Sequence, residues 1–339
     1  MRQIVVRQRQ AVLEEAEAPV LSASHPARVL VKVRYSSISP GTELNLIHHM
    51  EVPDGFPLGY SASGQVLEVG PEAAGLAPGD WVACYGGPYV YHAEQLSVPR
   101  QLCVKLSDEF RLREAALVGL GSVAIHSVRR LGRQFGESVW VVGLGLLGQL
   151  IAKFSHQANY RVFATDMNPA RIAAVQASGV DAAYLADDEA LDDYAERFTA
   201  GFGFDSIALV AHSSRPRIIA ATMQKLAFRG TYAVVGNVPI EFPRELFFQK
   251  EADFVIARAA GPGRYDRQYE EQGIDYPYAY VRWTEGRNMA EFVRQLEAGR
   301  IRLNPLITHE YAIGDAPAAY EALHADMSGA LGVLLRYDS

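Results

Sequence analysis

The chain has 339 residues, 49% apolar and 21% charged, with a net charge of −7. That length exceeds what one hydrophobic core organises, so two domains are expected. The acidic balance argues against a general nucleic-acid binder, and no apolar run is long enough to span a bilayer. Residues Met1 to Gln10 alternate charged and apolar side chains without the apolar core of a signal peptide, so a cytoplasmic protein is expected. The two cysteines, Cys84 and Cys103, are too few for a disulfide framework or a zinc knuckle and read as small buried hydrophobes.

In chain order, Arg28 to Tyr35 alternates apolar and charged residues, the pattern of a half-buried strand. Gly64 to Val69 and Asp80 to Tyr85 are further short strands, punctuated by Gly70-Pro71 and Pro78-Gly79. Such spacing predicts a compact, barrel-like β domain. From Leu112 the character changes. Glu114 to Arg130 fits a helix with one apolar face, and Ser138 to Val142 is an apolar strand bounded by glycines. Short apolar runs at Val162 to Thr165, Ser206 to Val210 and Thr231 to Val235 then alternate with helix-like stretches, the pattern of a doubly wound parallel sheet. Beyond Gly261 the chain is rich in Gly, Tyr and Pro. A helix is expected at Asn288 to Ala298, a strand after Leu303, a helix around Ala316 to His324 and a last strand at Gly332 to Arg336. This tail does not extend the nucleotide-binding pattern and is assigned to the first domain. The expected fold is α/β, with residues 1–125 and 265–339 in one domain and 126–264 in the other.

The strongest local signal is Gly143-Leu144-Gly145-Leu146-Leu147-Gly148, straight after an apolar strand and opening a helix. Gly143 permits the tight turn, Gly145 leaves room for a pyrophosphate, and Gly148 lets the helix pack close to the strand. The backbone N–H groups of the first helical residues, Leu146 and Leu147, then face the phosphates. The second strand ends at Asp166, 18 residues after Gly148, where a carboxylate can accept hydrogen bonds from ribose hydroxyls and repel a 2′-phosphate. NAD(H) is therefore expected as cofactor. Arg171, which could reach a phosphate, reads better as a cation on a helix face.

The order of a β-rich domain, a Rossmann-like domain and a return to the first, with these motifs, resembles the medium-chain dehydrogenase/reductase superfamily over essentially the whole chain. That resemblance implies a GroES-like catalytic domain beside the Rossmann domain. Several strings are similar to the dehydrogenase module of bacterial two-module oxidoreductases of polysaccharide and sugar metabolism. They are Ser36-Ser37-Ile38-Ser39-Pro40-Gly41-Thr42-Glu43, Gly59-Tyr60-Ser61-Ala62-Ser63-Gly64, His92-Ala93-Glu94, Gly261-Pro262-Gly263-Arg264-Tyr265-Asp266 and Tyr280-Val281-Arg282-Trp283-Thr284-Glu285. The second module expected after such a domain does not follow within this sequence. The first two strings also resemble, less closely, a bacteriochlorophyllide dehydrogenase.

Where zinc members of the superfamily carry metal ligands, this chain has Ser39-Pro40, Gly59-Tyr60-Ser61 and Leu117-Val118-Gly119-Leu120. Thiolate and imidazole donors are missing there, as is the four-cysteine lobe that holds structural zinc, so no metal is expected. His48, His49 and His92 are read as surface residues. Without a metal, hydroxyl donors must polarise the substrate oxygen. Tyr60 replaces the metal-binding histidine, and Thr42 stands where relatives carry the hydroxyl of their proton relay. Tyr60 is read either as that donor or as a buried ring filling the vacated space. Glu43 is read either as a carboxylate behind them or as a satisfied structural one. The stretch Arg258 to Asn288 mixes Tyr, Arg, Asp and Glu, which suits a polyhydroxylated ligand or an interface between copies, a homodimer or homotetramer. Arg282 and Glu285 are the substrate-binding candidates within it. The expected activity is NAD(H)-linked oxidation or reduction of a sugar, cyclitol or sugar-derived alcohol. A non-sugar alcohol, quinone or porphyrin-like side chain, or a non-catalytic NAD(H) sensor, are the alternatives.

Overall fold

The computed structural model describes residues 1–211 and 218–338; residues 212–217, inside the expected nucleotide-binding domain, and Ser339 lie outside the described residues. The chain divides into two units, Met1–Ser122 with Ala260–Ser339, and Val123–Ala259. The first unit opens with an antiparallel hairpin, β1 (Arg2–Arg7) and β2 (Gln10–Glu15), closed by Gln8 and Arg9 at positive φ. The alternating segment forms β3 (Arg28–Ile38), three residues longer than its pattern predicts. After the short β4 (Phe56–Pro57), β5 (Ser61–Val69) pairs antiparallel with β3, and β6 (Trp81–Tyr85) with β5. β7 (Gln95–Pro99) lies on β3, and β8 (Cys103–Leu106) on β6. Cys84 and Cys103 oppose each other across β6 and β8 as buried free thiols. Val29, Val31, Val33, Leu96 and Val98 supply a wholly buried apolar layer, so the period-2 pattern of β3 converts directly into core.

The helix expected from Glu114 to Arg130 is broken into Leu112–Ala115 and Val118–Leu131. The cause is a side chain from β5. The Ser61 hydroxyl donates to the Ala116 carbonyl at 2.7 Å and accepts from the Gly119 N–H at 2.9 Å, occupying groups a continuous helix would pair internally.

In the second unit β9 (Ser138–Val142), β10 (Arg161–Asp166), β11 (Ala182–Leu185), β12 (Phe204–Leu209), β13 (Leu226–Val234) and β14 (Asp253–Ile256) form one parallel sheet in the order β11-β10-β9-β12-β13-β14. The order reverses between β9 and β12, the switch point at which open α/β sheets take ligands. Phe163 and Phe204 are wholly buried with ring centroids 5.1 Å apart and anchor the core on one side of this sheet. An aromatic pair of this kind contributes about 0.5–1.5 kcal/mol beyond its buried area. The chain then returns to the first unit. β15 (Ile307–Ala312) lies parallel to β16 (Gly332–Arg336), and β16 pairs with β3. Among the described residues no helix is long and apolar enough to cross a membrane.

Candidate functional site

The glycine turn sits between β9 and the helix Leu146–Gln157. Gly143 has φ +97°, and a Cβ there would come within 2.6 Å of the Ala211 backbone nitrogen. A Cβ on Gly148 would lie 1.9 Å from the Gly143 carbonyl oxygen, so only glycine lets this helix start so close to the strand. Gly145 differs from both, because a Cβ there meets nothing within 4 Å. It is the N-cap of the helix and no side chain caps it. The backbone nitrogens of Leu146 and Leu147 therefore begin a helix whose positive end is left to an anion. These features fit a dinucleotide pyrophosphate. The cofactor candidates Gly143, Gly145, Leu146, Leu147 and Gly148 thus share one turn.

Asp166 ends β10 beside that turn. Its carboxylate accepts from the Leu144 N–H at 2.6 Å and from the Asn168 N–H at 2.9 Å. A carboxylate has about four acceptor positions, so these two bonds leave capacity for ribose hydroxyls. The sequence did not reveal that Asp166 also fastens the turn itself. Arg171 stands with Nη1 3.8 Å from Asp166, its charge turned toward the carboxylate, and its carbonyl accepts from Gln149 Nε2 at 2.8 Å.

In the first unit, Thr42 is exposed in the first turn of the helix Pro40–His48, and Ser39 is its N-cap. Ser39 Oγ donates to Thr42 Oγ1 at 3.4 Å, and both side chains act on the neighbouring Tyr60 phenol, opposing the rise in its pKa. Withdrawal of that hydroxyl from water pushes the Tyr60 phenol up to about 12. It is thus a protonated donor at neutral pH. Its ring meets Tyr85 edge-on at 5.9 Å.

Glu43 lies behind this hydroxyl group and is wholly buried. It accepts from the Ser39 N–H at 2.7 Å, pairs with His92 Nε2 at 3.0 Å and accepts from the Tyr320 hydroxyl. Burial, and then the neighbouring Glu43 charge, raise the Tyr320 phenol well above its ordinary value. His92 is not at the surface as its sequence context suggested; it is wholly buried. Its Nδ1 lies 2.7 Å from Ser36 Oγ, which in turn bonds Tyr337 at 2.8 Å. The reason is structural. A Cβ on Gly59, at φ +93°, would fall 2.7 Å from the His92 ring, so the segment that presents Tyr60 lies flat on the imidazole. His48, by contrast, is partly exposed against His324, with ring centroids 4.1 Å apart, and His49 is exposed.

The structure separates the two candidates of the Tyr-rich stretch. Arg282 is exposed, its guanidinium 5.6 Å from the centre of the Tyr278 ring. Glu285 is wholly buried at the start of the helix Glu285–Glu297, capped by the Thr284 side chain. Beside it lie Glu270 and Arg264, both buried and in contact as an ion pair. Arg264 also donates to the Gly87 carbonyl, with its guanidinium 4.0 Å from the Tyr265 ring centre and 5.7 Å from that of Tyr85. The sequence reading missed Arg264, Glu270, Tyr85 and Ser61. Only the string Gly261 to Asp266 hinted at the first.

The chain matches the family model described as the alcohol dehydrogenase GroES-like domain over residues 25–124, and that described as zinc-binding dehydrogenase over residues 143–270. A D-xylulose reductase A from Aspergillus niger is 27% identical over 350 residues, covering 91% of this chain and 90% of that protein. A sorbitol dehydrogenase from Gallus gallus is 25% identical over 335 residues, covering 87% and 86%. Among solved structures, an alcohol dehydrogenase from Thermus sp. ATN1 superposes with a TM-score of 0.81 at 22% identity, covering all of both chains. The fold is thus α/β, with a GroES-like domain and a Rossmann parallel sheet.

Proposed function

The chain belongs to the medium-chain dehydrogenase/reductase superfamily of alcohol dehydrogenase-like oxidoreductases, and from that premise we propose that it moves a hydride between NAD(H) and a carbinol or carbonyl carbon of a sugar, cyclitol or related polyol without a catalytic zinc. One observation carries the reading. The Tyr60 phenol keeps its proton at neutral pH beside the Ser39 and Thr42 side chains, and its resemblance in sequence to the metal-binding position of zinc relatives supports its taking over their polarising role.

The family model's description implies a zinc, and the donor set does not fit one. Ser39, Tyr60 and the Ala116–Gly119 segment offer hydroxyls and backbone, not thiolate or imidazole. The nearby imidazole, His92, has both ring nitrogens engaged, by Ser36 and Glu43. Among the described residues no group of three or more His, Cys, Asp or Glu is arranged to hold a metal ion.

NAD(H) supplies or accepts the hydride when bound. Gly145 and the helix start at Leu146 and Leu147 hold its phosphates, and Asp166 holds the ribose hydroxyls and disfavours a 2′-phosphate. In the other unit Tyr60 donates a hydrogen bond to the substrate oxygen, and Thr42 and Ser39 orient that hydroxyl. Glu43 and His92 position the segments carrying them. The names of the two relatives support a polyol substrate. The pairing of Arg264 with Glu270 takes up the nearby cation, which favours an uncharged one. Arg282 over Tyr278 suits sugar hydroxyls; the same surface suits contact between copies in a homodimer or homotetramer, which light scattering reads directly. The test is NADH formation from NAD⁺ over a panel of uncharged polyols, sugar phosphates and sugar acids, with NADP⁺ as control. Turnover of an uncharged polyol is expected, and absence of turnover across the panel contradicts the assignment.

A further inference from the structure

Glu285 is a buried carboxyl that the reaction above does not use. It is fully inaccessible to water, and among the described residues no N–H or O–H group donates to either of its oxygens. The group within bonding reach is the Glu270 carboxyl, itself an acceptor. Glu270 is already committed, because its Oε1 binds Arg264 Nη1 and accepts from the Tyr265 N–H at 3.0 Å. Arg264 Nη2 goes to the Gly87 carbonyl, and its buried Nε meets no acceptor among the described residues. The cluster thus holds one cation beside two carboxyls, and the cation's donors do not reach Glu285. A lone buried carboxylate with no donor is too unfavourable to persist; a proton placed between the carboxyls removes the second charge and makes the missing hydrogen bond.

We propose that Glu285 is a positioning residue: it keeps its proton at neutral pH, shares it with Glu270, and so leaves Glu270 a single charge with which to hold Arg264, and through it Tyr265 and Tyr85, beside Tyr60. Each link has a contact behind it. Arg264 lies over Tyr265 and Tyr85, and Tyr85 meets Tyr60 edge-on. The titratable groups acting on Glu285 from the neighbouring elements are Glu270, Arg264, Tyr85 and Tyr269. Tyr85 and Tyr269 are both raised by burial, so they stay neutral. Burial, then the Glu270 charge, push the Glu285 carboxyl from 4.5 up to about 9, with Arg264 opposing. The folded chain therefore keeps a proton that the unfolded chain loses above about pH 4.5. Stability falls as pH rises from there to about 9, by up to tenfold in the folding equilibrium per pH unit. Once Glu285 ionises, two adjacent carboxylates repel and Arg264 is drawn between them, which loosens the segment Gly261 to Asp266.

The effect on Tyr60 rests on the functional reading given above, whereas the retained proton does not, so the experiment separates them. The full-length protein, Glu285→Gln and Glu270→Gln are compared by infrared spectroscopy at neutral pH and by chemical unfolding between about pH 5 and 9. Glutamine at 285 has the shape of the neutral acid and cannot ionise. A protonated-carboxyl band in the wild type that is absent from Glu285→Gln is expected, with loss of the proton-linked fall in stability. Glu270→Gln is expected to keep its fold but lower the pH at which Glu285 ionises. On any polyol that is turned over, wild-type turnover is expected to fall as pH rises toward 9 while Glu285→Gln stays flat. No such band, and equal pH dependence of unfolding in the wild type and Glu285→Gln, overturns the proposal. The band and stability effect with identical turnover profiles overturn the positioning role alone and leave the retained proton standing.

Discussion

Replacing each of two glycines of one turn by alanine separates what the fold needs from what the ligand needs. At Gly148 the added methyl would sit 1.9 Å from the Gly143 carbonyl oxygen. Unstrained carbon–oxygen contacts run at about 3.3 Å or more. The helix Leu146–Gln157 must then move by more than an ångström against backbone that cannot rotate away. Overpacking of this kind costs about 1–3 kcal/mol and here falls at the upper end. At Gly145 the backbone is at φ −59° and ψ 178°, which alanine adopts freely, and the methyl meets nothing within 4 Å. Gly145→Ala is therefore expected to change stability by no more than about 0.5 kcal/mol. If a pyrophosphate lies over Gly145, the methyl takes its place and NADH affinity is expected to fall at least about tenfold, or about 1.4 kcal/mol. Chemical unfolding gives the first quantity and NADH fluorescence titration the second. A Gly145→Ala protein of normal stability and normal NADH affinity refutes the placement of the phosphates. A Gly148→Ala protein as stable as the parent refutes the steric reasoning.

Asp166→Ala is expected to weaken NADH binding and relax discrimination against NADPH. It is also expected to destabilise the protein by about 1.5–3 kcal/mol, because the carboxylate accepts from the Leu144 and Asn168 N–H groups. Asp166→Asn, which retains an acceptor, separates the two effects in paired titration and unfolding measurements. Tyr60→Phe keeps the ring against Tyr85 and is expected to lower single-turnover hydride transfer by about 10²- to 10³-fold with NADH affinity unchanged. Thr42→Val is expected to lower it less, since Ser39 acts on the Tyr60 phenol more strongly than Thr42 does. Because the Tyr60 phenol is raised from 10.0 to about 12, the folded state holds that proton more tightly and loses stability relative to the unfolded state only as pH rises through 10 toward 12. Alkaline unfolding of Tyr60→Phe is expected to lack this component.

The nucleotide-binding half was legible because its signals are local. An apolar strand, three glycines at fixed spacing and an acid at the next strand end lie in one short stretch, Ser138 to Asp166, and each constrains the backbone at its own position. The second function of Asp166, fastening Leu144, was not legible, because nothing in the spacing says which way a carboxylate turns. In the other unit the decisive contacts join distant segments. His92, flanked by Tyr91 and Ala93, reads as a surface residue, yet Glu43, 49 residues earlier, and the passing Gly59 bury it. Ser61 breaks the helix of residues 112–131 from a strand about 55 residues away. Arg282 and Glu285, three residues apart, part company at a helix start. The N-cap Thr284 leaves Arg282 outside and carries Glu285 inward, where Glu270 and Arg264 wait. Composition pointed to a mixed aromatic and charged segment and could not say which charges face water.

The most direct measurement is NADH formation from NAD⁺ and a polyol that is turned over, made before and after exhaustive chelation, on protein whose zinc content is determined in the same sample. The expected result is substoichiometric zinc, a rate unchanged by chelation and a rate lowered about 10²-fold or more by Tyr60→Phe. About one zinc per chain, with activity lost on its removal and restored by its return, contradicts the assignment of substrate polarisation to the Tyr60 hydroxyl.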